Sequence, residues 1–415
     1  MADIVELDQI EALAPYRQQW DRLLLRTPGA AFFQSLDWLV AYWRHYGEGR
    51  RLRVLLIIEG GEIRAIVPLV LRRCMTRLGP MRMIVWPLDA WGTFFGPIGP
   101  DPVWATSTAI DYLRSGPRDW DLIDLKHLGT AEPDADSLWG TRLSSVSGCT
   151  YRAEERTAVI DFDGSWDGYL RSRSSHWRRN FRAAEQRLML RGDVRFERFR
   201  PDAANARNHS DSCTLNSSMA RAAPANDGSR LRAALGESAS WEQSSSTAVS
   251  KWIDPRWDLF DACRQVAAAS WQASAARGTT LSSPSIVAFL RDVHQAAAML
   301  GALDVCLLWC DERPVAFQYN YYWNGRLFGL RQGYDPQFAR YSVGVVLMGM
   351  AVRDSFARGD RLLDLGTGSI ECKTPLATRM ASVGRLTYYP SRALRAQLLH
   401  LGRWLRRRWD AAGKV

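Results

Sequence analysis

Lysine is nearly missing from this sequence. Lys126, Lys251, Lys373 and Lys414 are all there are among 415 residues, so arginine supplies almost all of the positive charge behind a formal net charge of +10. Such a balance is weak evidence for a nucleic-acid partner, because arginine and alanine richness also follows genome base composition. Paired cysteines are missing too: Cys74, Cys149, Cys213, Cys263, Cys306, Cys310 and Cys372 contain no C-x-x-C unit, which argues against a zinc site and a disulfide framework. Cys306 and Cys310 share one face of an expected strand and read as small core hydrophobes. None of the six histidines enters a Ser-His-Asp or metal-ligand pattern, and His176 and His294 read as helix-surface residues. No apolar run approaches the roughly 18 residues of a membrane span. The acidic start MADIVELDQIEALAPYRQQW has no signal-peptide core, so a cytoplasmic protein is expected.

What is present is the balance of a globular chain, 47% hydrophobic and 24% charged, long enough for two ordinary domains. LRVLLIIEGGEIRAIVPLVLRR, from Leu52 to Arg73, is two apolar runs joined at Gly60 and Gly61, the pattern of a β-hairpin. LDVCLLWCDERPVAFQYNYYWNGRLFGL, from Leu303 to Leu330, repeats it. Without gaps, Leu52 aligns with Leu303, Val54 with Val305, Leu56 with Leu307 and Ala65 with Ala316. Each hairpin follows a helix-like segment, Ser35 to Gly47 and Ser283 to Gly301. An internal duplication is the natural reading.

Between the repeats, Ser165 to Gly192 reads as one arginine-dense helix followed by the strand DVRFERFR. Pro201 to about Ser250 is poor in large apolar residues and reads as a flexible insertion. A helix is expected from about Asp258 to Gln272. After Gly368 the pattern suggests one short strand, Leu386 to Tyr389, and then a basic amphipathic helix in 391–415 that suits an acidic surface or a membrane face.

The stretch RLLDLGTGSIECK, from Arg361 to Lys373, has the look of the loop by which many methyltransferases hold S-adenosylmethionine. A Rossmann fold needs further strands and helices after such a turn, and too little chain follows it here. The third glycine is absent and Pro375 interrupts a following helix. Its place in the second repeat is more informative: three strands, YDPQFARYSVG, a helix from Val345 to Ala357, then the strand that ends in this turn.

That order resembles the GNAT acyltransferase superfamily. The wording YDPQFARYSVG followed by GDRLLDLGTGSIECK is similar to the CelD-type acyltransferases and their Fem peptidyltransferase relatives: Tyr341, Ser342, Gly344, Gly366, Gly368 and Lys373 match, Val343 replaces a usual proline and Cys372 a usual tyrosine. FFQSLDWLVAYW, IRAIVPLVLRR, SSHWRRNFRAAEQRL and ASWQ extend the likeness over most of the chain outside the insertion.

The resemblance implies an α+β fold of two tandem GNAT-like lobes, each a mixed, mostly antiparallel sheet flanked by helices. The expected divisions are 1–160, then 161–200 with 251–390, leaving 201–250 as the insertion and 391–415 as the basic helix. It implies a donor site for acetyl-CoA or another acyl-CoA, without a metal, formed by Arg340, Tyr341, Ser342, Val343, Gly344 and Val345 at a helix start. Gly344 lets backbone approach a phosphate, and Ser342 is expected to cap the helix or donate to an oxygen.

The reaction implied is direct transfer to an amine or hydroxyl, acetyl transfer first, in cell-envelope or exopolysaccharide metabolism, with a small molecule or glycan precursor as acceptor. Glu371 is the candidate base, Tyr341 or Tyr334 the candidate acid for the thiolate, and Arg178, Asn180 and Lys373 candidates for substrate binding. Two alternatives stay open: a Fem-like peptidyltransferase using aminoacyl-tRNA, and a non-catalytic scaffold. With no heptad run for a tRNA-binding coiled coil, nucleic acid is not the expected partner.

Overall fold

The computed structural model describes residues 2–132, 139, 142–143, 148–202, 253–274 and 280–412; the 203–250 part of the expected insertion lies outside them. The strands are β1 (Asp3–Leu7), β2 (Arg51–Glu59), β3 (Glu62–Thr76), β4 (Gly79–Val85), β5 (Leu122–Leu128), β6 (Cys149–Asp161), β7 (Val194–Phe199), β8 (Leu303–Cys310), β9 (Arg313–Trp323), β10 (Arg326–Tyr334), β11 (Leu362–Asp364) and β12 (Arg379–Tyr388). They form one twelve-stranded mixed sheet in the order β1-β2-β3-β4-β5-β12-β6-β11-β10-β9-β8-β7. The fold is α+β.

That order is a palindrome of two six-strand sets, with β1 to β5 answering β7 to β11 and β12 answering β6. Each set has one parallel pair, β4 with β5 and β10 with β11, joined by a crossover helix: α3 (Pro102–Ser115) or α8 (Val343–Arg358). The last strand of each set lies in the opposite half. β6 pairs with β11 and β12 with β5, while β6 and β12 pair with each other along the middle. Arg385 of β12 fastens this seam, reaching Asp124 of β5 at 2.6 Å and Glu154 of β6 at 2.5 Å.

The duplicated hairpins also share their turns. Gly60 and Gly61 both have positive φ, and so do Asp311 and Glu312 at the equivalent turn. Two successive left-handed residues match the strand twist, which is why glycine suits one turn and a compact acidic pair tolerates the other.

The helices before the hairpins, α2 (Leu36–Tyr46) and α7 (Val287–Met299), pack on each other across the middle, with Trp38 edge-on to Phe289 at 5.6 Å and His45 Nε2 2.9 Å from an Asp292 oxygen. Ser35 Oγ accepts from Trp38 N and fixes the start of α2. Strand alternation separates two cores. Leu303, Val305 and Leu307 face the main core beside α6 (Trp257–Ala269), and Cys306, Leu308 and Cys310 face the core beneath α8.

Three expectations need correction. The arginine-dense helix is two, α4 (Trp166–Ser172) and α5 (Ser175–Met189), because Arg173 and Ser174 are extended and Ser174 Oγ caps the second helix at Trp177 N. The short strand at Leu386–Tyr389 is the end of β12, which begins at Arg379 and lies near the centre of the sheet. His294 is fully buried, its Nε2 2.7 Å from Pro255 O and Nδ1 2.8 Å from Tyr319 Oη. No described helix is long and apolar enough to cross a membrane.

Candidate functional site

β10 and β11 run parallel for only three residue pairs, Arg326 with Leu362 through Phe328 with Asp364. Beyond this they diverge. A β-bulge falls between Gly329 and Arg331, where the pairing of β10 with β9 shifts. Gly329 sits in the crotch of the fork, where a Cβ would come within 3.1 Å of Asp364 O, so glycine is what lets the strands approach before parting. From Gly329 to Tyr334, β10 has no strand partner on its fork side among the described residues.

The β10 arm leads into the predicted donor loop. Asp335 accepts from Gln337 N at 2.9 Å and pairs with Arg313, starting a tight 3-10 turn over Pro336–Tyr341. Ser342 then adopts a left-handed conformation (φ 54°), and its carbonyl accepts from Val345 N and Val346 N. The amides of Val343 and Gly344, first in α8, have no acceptor among the described residues and mark the positive end of a helix running through Arg358. The Ser342 side chain does not cap the helix, which leaves its hydroxyl available. Tyr334 lies beside Gly344, with its Cδ1 3.4 Å from where a Cβ would stand. Arg340 is exposed and its guanidinium lies over Tyr341 at 4.8 Å, while Val345 faces solvent.

The β11 arm is the DLGTGS turn. Asp364 is buried and its Oδ1 accepts from Gly366 N at 2.9 Å and from Thr157; burial raises its carboxyl above the usual range, against the pull of those hydrogen bonds. Lys373 Nζ donates to Gly366 O at 2.8 Å and Thr367 O at 2.7 Å, so its ammonium closes the turn rather than reaching outward. Burial lowers its pKa while Asp364 opposes that shift. Glu371 and Cys372 are exposed on the one-turn helix α9 (Ile370–Lys373). The two arms of the fork thus carry Tyr334, Tyr341 and the free amides on one side and Glu371 on the other.

Arg178 and Asn180 stand on α5, which packs against α8. Phe181 lies on Gly349 and Arg353 reaches Glu185 at 3.4 Å, so the two helices run in the same direction and present their N-termini to the same side. Asn180 Nδ2 bonds His176 at 2.9 Å. Arg178 lines a cleft of about 280 Å³ with Arg171, Arg179 and Arg182, and Asp167 is its single acid.

Two polar residues at the fork carried no signal of their own in the sequence. Gln272, inside the ASWQ run, is buried and its Nε2 donates to Gln332 O of β10 at 2.9 Å. Arg331 follows the bulge, half-buried, with its guanidinium 5.6 Å from the Trp91 ring centre, on the side of the first half.

The equivalent fork in the first half is filled by the chain itself. β4 and β5 pair only at Met83 with Leu122 and Ile84 with Ile123. The connection that follows, residues 86–101, folds back so that Phe95 N bonds His127 O of β5 at 2.7 Å, and Trp86, Trp91, Phe94 and Phe95 are all buried. A long aromatic connection plugs one fork; at the other, the connection between strand and helix is only the short turn of Asp335–Ser342, and no described segment pairs with β10 beyond the fork.

Residues 246–374, which include the fork between β10 and β11, match the family described as Acetyltransferase (GNAT) domain. Among solved structures, FemX superposes with a TM-score of 0.54 at 10% identity, covering 95% of this chain and 100% of that one. The C-terminal domain (DUF2156) of a putative lysylphosphatidylglycerol synthetase from Agrobacterium fabrum gives 0.50 at 12% identity, covering 93% and 95%. These likenesses are of fold. No curated protein matches the sequence.

Proposed function

We propose that the protein is an acyl-CoA-dependent acyltransferase whose donor site is the fork between β10 and β11. The observation that carries this reading is the contrast between the two halves: among the described residues the first fork is filled by residues 86–101, whereas the second has no strand pairing beyond it and ends at helix amides without an acceptor. The N–H groups of Val343 and Gly344, with the Ser342 hydroxyl, hold the pyrophosphate of the donor. The unpaired edge of β10 between Gly329 and Tyr334 offers amide donors to the thioester carbonyl, where negative charge develops during attack.

An acceptor amine or hydroxyl attacks the carbonyl carbon and the carbon–sulfur bond breaks. Glu371 takes the acceptor's proton, and Tyr334 or Tyr341 gives one to the departing thiolate. Most of the rate enhancement comes from placement, since the chain supplies no nucleophile of its own to this step. Arg331 and the arginine cleft beside α5 favour an anionic acceptor, in keeping with an envelope or polysaccharide precursor; acetyl is the first donor to test.

The test is thermal unfolding with acetyl-CoA, longer acyl-CoAs and S-adenosylmethionine. A ligand at about 100 times its Kd adds about 2.7 kcal/mol to a native state that binds it. The expected result is stabilisation by an acyl-CoA alone, lost in Gly344→Trp and Ser342→Trp. Stabilisation retained in both variants would overturn the assigned fork.

A second reading keeps the fold and changes the donor to aminoacyl-tRNA, as in the Fem relatives. The arginine cleft favours it, because Arg171, Arg178, Arg179 and Arg182 suit a phosphate backbone. Binding of tRNA that survives physiological salt, without any response to acyl-CoA, would select this reading.

A further inference from the structure

The helix α10 (Leu394–Ala412) is amphipathic in an unusual sense: both of its faces are apolar, and only one is packed. Ala396 and Leu399 are buried against the body. His400 stacks on Tyr389 with ring centres 4.4 Å apart, and Arg403 donates to Tyr389 Oη at 2.8 Å. These contacts fix the helix by one stripe. At about 100° per residue, Leu394, Leu398, Leu401, Leu405 and Trp409 fall on the opposite stripe, and all are more than half exposed, Leu394 at 80% and Trp409 at 82%.

The tip of the β3–β4 hairpin extends this patch. Arg395 donates to Leu78 O at 2.7 Å and to Pro80 O at 3.0 Å, which ties the helix start to the hairpin. There Met75 is 80% exposed and Leu78 39%. Exposed arginines border the apolar surface: Arg73 and Arg77 on the hairpin, Arg392 and Arg395 at the helix start, and Arg406 and Arg408 farther along. Asp410 is the single acid in the helix sequence.

We infer that this face docks the protein on an anionic phospholipid surface, with α10 lying in the interfacial plane. The charge and the apolar stripe together select that occupant. A nucleic acid would use the arginines but leave five large apolar side chains without a partner. A second copy of the chain meeting the face symmetrically would bring arginine against arginine. A bilayer surface accepts the leucines and Trp409 among its acyl chains while the guanidinium groups remain at the phosphate level. The helix is too rich in arginine to span the bilayer.

The experiment is co-sedimentation of the full chain with vesicles of phosphatidylcholine alone and of phosphatidylcholine mixed with phosphatidylglycerol. Binding to the anionic vesicles is expected to be at least about tenfold tighter and to weaken with salt. The double variant Leu401→Glu/Leu405→Glu should lose it, and Arg406→Glu/Arg408→Glu should lose the preference for anionic lipid. All four positions are exposed, so the melting temperature in the absence of vesicles should not move. Absence of binding, equal binding to both vesicle types, or unchanged binding by the leucine variant would each overturn the inference. So would a concentration-dependent dimer, abolished by the leucine variant, in a protein that ignores vesicles.

Discussion

Phe181 of α5 lies so close over Gly349 of α8 that a Cβ at Gly349 would fall 2.0 Å from the ring. The ring is held from the other side by Trp177, stacked at 5.5 Å and 3°. This contact sets where the arginine-bearing helix sits relative to the proposed donor loop.

Gly349→Ala should therefore destabilise the protein despite alanine's better helix propensity. Overpacking costs about 1–3 kcal/mol and the propensity gain returns up to about 1. A net loss of about 1–2 kcal/mol in urea unfolding is expected, and Phe181→Leu in the same chain should recover part of it. Equal stability of Gly349→Ala and wild type would mean that the two helices part freely.

Beneath α8, Arg198 and Arg200 of β7 share Asp304 of β8, each at 2.9 Å, and Arg200 also meets Asp360 at 2.6 Å. Burial raises the Asp304 pKa, but the two guanidinium groups outweigh it and hold the carboxyl below its usual range. Asp304→Ala leaves Arg198 buried beside a missing partner and should cost about 3–5 kcal/mol. A loss under about 1 kcal/mol would show that the remaining carboxylates absorb the charge.

His294 gives the stability a pH dependence whose sign is fixed. Burial lowers its pKa from 6.5 to about 4. A neutral ring that donates to Pro255 O and accepts from Tyr319 satisfies both of its contacts. Between about pH 6.5 and 4 the unfolded chain binds a proton that the folded chain excludes, so this contribution is complete above pH 6.5 and is lost on acidification. Two and a half pKa units correspond to about 3 kcal/mol. His294→Gln should flatten the acid limb relative to wild type in matched denaturation series; parallel limbs would refute the assignment.

Cys372, next to Glu371, is exposed, whereas Cys263 and Cys306 are buried with thiol pKa values pushed up by desolvation. Among the described cysteines, a thiol reagent should modify Cys372 first, read by mass spectrometry, and leave those two untouched in the folded protein. Saturating acyl-CoA is expected to slow the Cys372 reaction by about tenfold if the fork is the donor site, following the occupancy arithmetic of a bound ligand. An unchanged rate in the presence of a ligand shown to bind would place that ligand elsewhere.

The first hairpin was legible because Gly60 and Gly61 interrupt continuous apolar runs, the second because it repeats that pattern, and the turn and helix over 336–358 through the element order they share with the GNAT pattern. β12 was not. Its residues Arg379–Tyr388 mix small, polar and apolar side chains, and its strand character comes from pairing with β5 and β6, more than 200 positions away. His294 misled for a related reason: an imidazole on an alanine-rich helix reads as exposed until Tyr319 and Pro255 arrive from distant segments to bond it. Gln272 and Arg331 were silent because a polar side chain gains meaning at the fork only once β10 has bulged and turned away from β11.

The reciprocal placement of β6 and β12 has a consequence for biogenesis. The first half emerges from the ribosome able to form β1 to β5 but must wait for β12, which follows every other described strand in chain order, before the outer edge of β5 is covered. Meanwhile β6, made early, is held in reserve for a partner not yet translated. Until both arrive, β5 and β6 are unpaired edges open to association with other chains. The nascent protein is therefore a natural client for chaperones, and expression of either half alone should yield aggregate rather than a smaller folded protein.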